Sequence, residues 1–332
     1  MKILIIHTAF IGDIVLSTPL IGKIKDIYPQ SELSYLTTPT GAAVLKNNPK
    51  IDQLIIYDKK NKDKGLLNLL KLIKKLRKEK YDMVLSLHRY LRSSLIAYGT
   101  GAPIRKGYNV APASFLFTEK IIYDKTKHEV EKLLSFIEGN VEKKYPIEIY
   151  PSKDDEKKAK ELLGDIGDKK LVVLAPGSRW KTKRWPVEYF NKVIEGLSQE
   201  KNLVVVVIGG IEDKNLEIKI NENILDLRGK TSLLESAAVI GKSTLLLTND
   251  SSPIHMGSAF SNVRIFAIFG PTVKNFGFTP WSENNKIYEV ENLSCRPCGL
   301  HGSDSCPKGH FKCMKDIDPE VILGDIKGYI NE

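Results

Sequence analysis

Leu171-Val172-Val173-Leu174-Ala175-Pro176-Gly177-Ser178-Arg179-Trp180-Lys181-Thr182-Lys183-Arg184-Trp185-Pro186 is the stretch on which the fold turns. It opens with an apolar run that does not alternate, the pattern of a strand buried on both faces, as in a parallel sheet. A loop with a glycine, a serine hydroxyl and four cations follows, and then a proline suited to the first turn of a helix. The same strand-to-helix pattern recurs downstream. Residues 203–208, 244–248 and 264–269 read as further buried strands, with helices starting near Pro186, Glu212, Ser232 and Ser252. Upstream, residues 2–7, 33–37, 53–57 and 83–87 are short apolar strands. A helix ends near Pro29, and another is predicted over 65–79, with Leu66, Leu70, Ile73 and Leu76 as its buried stripe. Alternating strands and helices predict an α/β protein with parallel sheets.

A chain of 332 residues suits two domains. The polar stretch near residues 150–168 separates them, giving expected domains at 1–152 and 168–316 and a terminal helical segment at 317–332. No apolar run is long enough to span a bilayer. His7 and Asp13 interrupt the N-terminal apolar stretch, and no small-residue cleavage site follows it. The expectation is therefore a cytoplasmic protein.

Net charge is +10, and its distribution is uneven. Residues 1–150 hold 25 Lys+Arg against 15 Asp+Glu, whereas residues 151–332 hold 25 of each. A basic half beside a neutral one suggests an anionic partner on one side: acidic headgroups, a phosphorylated glycan or nucleic acid. A lysine-rich solvated surface is the plainer alternative.

Three segments carry chemistry. Gly12-Asp13 follows the first strand; Asp13, at or near a helix N-cap, either caps backbone N–H groups or serves as a general base. The loop from Gly177 to Arg184 suits a diphosphate, which needs close backbone donors and fixed positive charge. In Thr248-Asn249-Asp250-Ser251-Ser252-Pro253-Ile254-His255, a strand runs into small hydroxyl residues. Ser251 or Ser252 could cap the next helix, serine hydroxyls and His255 could hold phosphate oxygens, and Asp250 could accept bonds from sugar hydroxyls. Neither G-x-G-x-x-G nor a Walker A loop is present in these segments.

Together these segments resemble glycosyltransferase family 9, the ADP-heptose:lipopolysaccharide heptosyltransferases. The matching stretches are Gly12-Asp13 through Thr18-Pro19, Pro176–Pro186, Leu227-Arg228-Gly229-Lys230-Thr231-Ser232-Leu233, Asn249-Asp250-Ser251 with His255, and Phe269-Gly270-Pro271-Thr272. The tail from Cys295 to Met314 is most similar to heptosyltransferase II members. The resemblance implies a GT-B architecture, two Rossmann-like domains facing a central cleft, with the acceptor on the N-terminal domain and the donor on the C-terminal one. It implies inverting transfer of heptose from ADP-heptose to the inner core of lipopolysaccharide, without metal or cofactor. Asp13 would be the base and Lys183 the stabiliser of departing ADP. Ser178, Arg179, Lys183, Glu212, Asp250, Ser251, Ser252 and His255 would hold the donor, with Glu212 at the ribose.

Acceptor-binding cations vary within the family, so Lys59, Lys60, Lys62, Lys64, His88, Arg89, Arg92 and Arg105 are expected on charge and strand-end position alone. The partners implied are ADP-heptose, a lipid A–core oligosaccharide and the anionic inner leaflet. A monomer at the inner face of the cytoplasmic membrane, without nucleic acid, is the expectation. Cys295, Cys298, Cys306 and Cys313 are the one zinc option, against reduced thiols; spacings of two, seven and six residues are irregular for a knuckle. Two alternatives stay open: another nucleotide sugar on a different lipid-linked glycan, or a non-catalytic protein binding anionic membrane or nucleic acid.

Overall fold

The computed structural model describes residues 1–139 and 144–331. The chain divides into two compact units, Met1–Tyr150 and Pro151–Glu332. The first contains β1 (Lys2–Ile6), α1 (Ile11–Leu16), α2 (Thr18–Ile27), β2 (Glu32–Thr37), α3 (Pro39–Leu45) and β3 (Gln53–Ile56). It continues with α4 (Leu66–Lys78), β4 (Met83–Ser86), α5 (Leu91–Gly99), β5 (Ile104–Tyr108), β6 (Glu119–Ile121) and α6 (Glu129–Leu134). The second contains α7 (Lys153–Leu163), β7 (Lys170–Ala175), α8 (Val187–Ser198), β8 (Leu203–Val207), β9 (Ile224–Asp226) and α9 (Leu233–Gly241). β10 (Leu245–Asn249), α10 (Ser252–Gly257), β11 (Arg264–Phe269), β12 (Asn285–Glu289), α11 (Lys312–Lys315) and α12 (Pro319–Asn331) complete it.

Each unit is built on a six-stranded sheet, ordered β3-β2-β1-β4-β5-β6 in the first and β12-β11-β10-β7-β8-β9 in the second. Every strand pair is parallel. Renumbered from its own first strand, the second sheet has the same order as the first. Both are doubly wound, and the order reverses between β1 and β4 and between β7 and β10, where open α/β sheets take their ligands. The central strands are apolar along their length because helices cover both faces: Ile3 to Ile6 and Leu171 to Leu174 are essentially inaccessible.

Where the expected elements and the observed ones differ, the cause is local. The single helix expected up to Pro29 is two, broken at Ser17. Pro19 has no N–H to give Val15, and the Thr18 hydroxyl takes that carbonyl at 2.8 Å while the Ser17 hydroxyl takes Ile14 O at 2.7 Å. No α-helix starts near Glu212; a 3₁₀ turn, Ile211–Asn215, stands there. The buried Arg228 guanidinium captures the carbonyls of Asp213 and Leu216 at 2.9 and 2.8 Å, which a continuing helix would need for itself. The stripe expected on α4 is also shifted. Leu69 and Leu76 are buried, whereas Leu66 and Leu70 face solvent. Strands β5, β6, β9 and β12 escape the sequence reading because they are short or polar, as in Asn285-Lys286-Ile287-Tyr288-Glu289.

Candidate functional site

In the first unit the loops after β1, β3 and β4 leave the sheet at the switch-point edge. Asp13 stands at the third position of α1 rather than at its N-cap, half-buried, and its carboxylate accepts from the Phe10 backbone N–H at 3.2 Å. Beneath it lies a polar chain that no motif announced. His7 Nδ1 is 3.2 Å from the Tyr35 hydroxyl, which is 2.7 Å from Ser17 Oγ. The His88 ring lies 6.1 Å from that of His7 and 4.2 Å from that of Tyr90.

Lys59 turns inward: its ammonium donates to Thr8 O at 2.8 Å, and Thr8 Oγ1 lies 3.3 Å from His88 Nδ1. Burial, then Arg92 and Lys60, draws the Lys59 ammonium below the usual lysine value. Lys60, Lys62 and Lys64 point to solvent, because Asp58 folds their loop around itself, accepting from Asn61 N at 3.2 Å. Arg92 donates to the Tyr57 hydroxyl at 3.2 Å, and Arg89 lies over the Tyr123 ring at 4.0 Å. Arg105 is not brought to this edge. It is the second residue of β5, and its guanidinium turns back to the carbonyls of Ala102 and Leu116, a structural use.

Burial, reinforced by neighbouring positive charge, lowers His7 to about 3 and His88 to about 4, so both are neutral at pH 7. Because the folded values lie below the unfolded value, the unfolded chain binds more protons between them. Stability from this pair is therefore complete above about pH 6.5 and is lost as pH falls, through about 4 for His88 and about 3 for His7. The expected slope is at most about 1.4 kcal/mol per pH unit for each ring. Denaturant unfolding at stepped pH checks this, and His88→Gln should remove up to half of that slope.

In the second unit the loops after β7, β10 and β11 converge at the corresponding edge. Asp250 is 6% exposed; its Oδ2 accepts from Lys183 Nζ and from Thr272 Oγ1, each at 2.5 Å. Buried Asn249 shapes the basic loop from below. Its amide donates to Pro176 O at 2.7 Å and its Oδ1 accepts from Trp185 N at 3.0 Å. The Ser251 hydroxyl donates to Gly177 O at 3.3 Å instead of capping α10. Arg184 donates to Ser178 O at 2.7 Å, which leaves Arg179 exposed beside the Trp180 ring.

Ser252 is half-buried at the start of α10, and His255 is buried within it. Glu212 is exposed just beyond β8. Its neighbour Asp213 fills the space beside Gly177, where a Cβ would stand 2.4 Å from its carboxylate. Burial raises the Asp213 carboxyl above its ordinary value, against the Gly210 N–H that it accepts at 2.8 Å. Asp213 is the residue of this constellation that the sequence reading missed; Asn249 and Thr272 stood within its motifs without a role assigned to them.

The cysteine-bearing segment is wired to both flanks of this constellation. Ser303 and Thr182 exchange backbone and hydroxyl bonds of 2.8 to 3.0 Å, and Cys298 N donates to Pro271 O at 2.9 Å. Arg296 donates to Thr272 O at 2.6 Å and to Glu289 at 2.9 Å. The four cysteines are free thiols; Cys313 is buried, and burial pushes it up to about 11. Among the described residues no group of three or more His, Cys, Asp and Glu side chains is placed to hold a metal ion.

Two doubly wound parallel sheets of the same strand order in one chain are the α/β architecture of the GT-B glycosyltransferases. A family model, glycosyltransferase family 9 (heptosyltransferase), matches residues 69–307. The chain belongs to that family and is a glycosyltransferase. It is 29% identical over 338 residues to lipooligosaccharide heptosyltransferase 2 of Campylobacter jejuni subsp. jejuni serotype O:2, covering 99% of this chain and 98% of that protein. The fold matches a glycosyl transferase family 9 structure from Veillonella parvula with a TM-score of 0.87 at 24% identity, covering 99% and 97% of the two chains. It also matches the E. coli ADP-heptose lps heptosyltransferase II with a TM-score of 0.80 at 20% identity, covering 99% and 98%.

Proposed function

We propose that this protein transfers heptose from ADP-heptose to the inner core of lipopolysaccharide, in the manner of heptosyltransferase II. The observation carrying the donor half is the Lys183–Asp250–Thr272 constellation at the switch point of the second sheet, beside the Gly177–Arg184 loop. A lysine ammonium held in place by a buried carboxylate is a fixed positive charge for a diphosphate. The acceptor half rests on the cationic edge of the first unit, with Lys59, Arg89 and Arg92 around the neutral His88.

In this reading Asp13 removes the proton of the acceptor hydroxyl as that oxygen attacks the anomeric carbon from the face opposite the diphosphate. The bond from the anomeric carbon to the phosphate oxygen breaks, its electron pair leaves with ADP, and configuration inverts. Lys183, Ser178 and the backbone at Arg179 bear the charge that develops on the phosphate. Asp250 positions the sugar, Ser251, Ser252 and His255 serve the phosphates, and Glu212 meets the ribose. Lys60, Lys62 and Lys64 add acceptor-side charge. The protein acts as a monomer at the inner face of the cytoplasmic membrane; among the described residues no helix is long and apolar enough to cross one.

Calorimetric titration with ADP, UDP, GDP and CDP, without metal, tests the donor. Selective ADP binding is expected. Preference for another diphosphate would move the enzyme to a different glycan, and no binding to any of the four would favour a non-catalytic binder.

A further inference from the structure

Helix α4 is amphipathic towards the sheet, yet its outer face is not uniformly polar. Leu69 and Leu76 are buried inward. Outward stand Leu66, Leu67 and Leu70, which are 68%, 75% and 53% exposed. One turn further along the same outer face come the exposed Lys71, Lys74, Lys75 and Lys78. Three adjacent leucines in water are a standing cost for a soluble surface, and such clusters mark interaction sites.

Helix α5 extends the patch. It packs against α4 so closely that a Cβ on Gly99 would sit 2.4 Å from Ile73 Cγ2. Right-handed crossovers place both helices on one face of the sheet. α5 turns Leu91, Leu95 and Tyr98 to solvent at i, i+4 and i+7, a single helical stripe. This helix begins immediately after His88, Arg89 and Tyr90, so one element runs from the cationic edge to the apolar face.

We propose that the outer face of α4 and α5 seats the protein on an anionic lipid leaflet, with the leucines at the acyl boundary and the α4 lysines among the phosphate headgroups. A helix bearing leucines and a lysine row, lying in the interface plane, gains from apolar burial and from attraction to acidic lipid together. Charge complementarity selects lipid over a second copy of the chain: two copies meeting through this face would bring their lysine rows together. The surplus of ten positive charges lies in this unit alone. The inference rests on the reading of a lipid-linked acceptor, which this seat would hold in the same leaflet as the enzyme.

The test uses the full chain and flotation with vesicles of phosphatidylcholine, pure or with a third replaced by phosphatidylglycerol, at low and high salt. Binding to the anionic vesicles should exceed binding to neutral ones by about tenfold or more at low salt. The triple variant Lys71→Glu, Lys74→Glu, Lys75→Glu should weaken anionic binding by about a hundredfold. The triple variant Leu66→Ser, Leu67→Ser, Leu70→Ser should abolish the part that survives high salt.

ADP affinity should be unchanged in both variants, and their far-UV circular dichroism and thermal midpoint should match the parent's, which confirms that the first unit, where the substitutions lie, still folds. Vesicle binding equal to the parent's in both triples would overturn the proposal. So would a parent that sediments as a dimer, does not float, and becomes monomeric on leucine substitution. Floating without ADP affinity would refute the donor reading and leave the lipid seat standing; ADP affinity without floating would do the reverse.

Discussion

Asp13→Asn is expected to lower kcat by about 10²- to 10⁴-fold, the range over which a positioned general base contributes. The substitution isolates basicity from structure. The Asp13 carboxylate accepts the Phe10 N–H, and an asparagine carbonyl oxygen can accept the same bond, so α1 keeps its N-terminal turn. ADP affinity and the thermal midpoint should therefore match the parent, while turnover on a core acceptor collapses. Asp13→Ala separates the two roles further: it should lose turnover to the same extent and also about 0.5–1.5 kcal/mol of stability, the net worth of the hydrogen bond to the Phe10 N–H. Stopped-time product assays with calorimetric ADP titration check both variants. Turnover within threefold of the parent in Asp13→Asn would remove Asp13 as the base and leave it a capping residue.

Lys183→Met is expected to reduce kcat by about 10²- to 10³-fold, the scale of removing one fixed donor from a developing anion. It should also weaken ADP binding, because the same ammonium meets the diphosphate in the ground state. A stability effect accompanies this one. Lys183 and Asp250 are 14% and 6% exposed at their side chains, so removing the lysine strands a buried carboxylate with only Thr272 donating to it among the contacts described. Breaking such a pair costs on the order of 3 kcal/mol. The double variant Lys183→Met, Asp250→Asn should recover much of that loss, because no uncompensated charge remains, while staying inactive. Recovery of activity with stability would show that Lys183 acts only through the fold.

Much of the architecture was legible in the chain. The strands with continuous apolar runs, such as 171–175 and 264–269, announced parallel sheets because both their faces are covered. Edge strands such as Glu119–Ile121 were not legible, since one side of an edge pairs with nothing and polar residues are tolerated there. The helix expected near Glu212 failed for a reason outside its own segment: Arg228, 12 to 15 residues further on, takes the carbonyls that a helix would have used. The α4 stripe was misplaced because Leu66, Leu69, Leu70 and Ile73 satisfy more than one helical register, and only the neighbours decide which is buried.

The candidate site divides in the same way. Motif and spacing by themselves singled out Gly12-Asp13, the Gly177–Arg184 loop and Asn249-Asp250-Ser251, because close backbone approach and hydroxyl donors require those residue types beside a strand end. Composition determined the asymmetry of charge, and the ordered motifs the family resemblance. Tertiary structure alone decided that Lys183 pairs with Asp250 and Thr272, that Arg105 serves its own strand, that Lys59 turns in while Lys60 turns out, and that three leucines of α4 remain in water. Each of those depends on which distant segment arrives beside a residue. Periodicity describes the face a residue presents, and only the folded chain determines what meets that face.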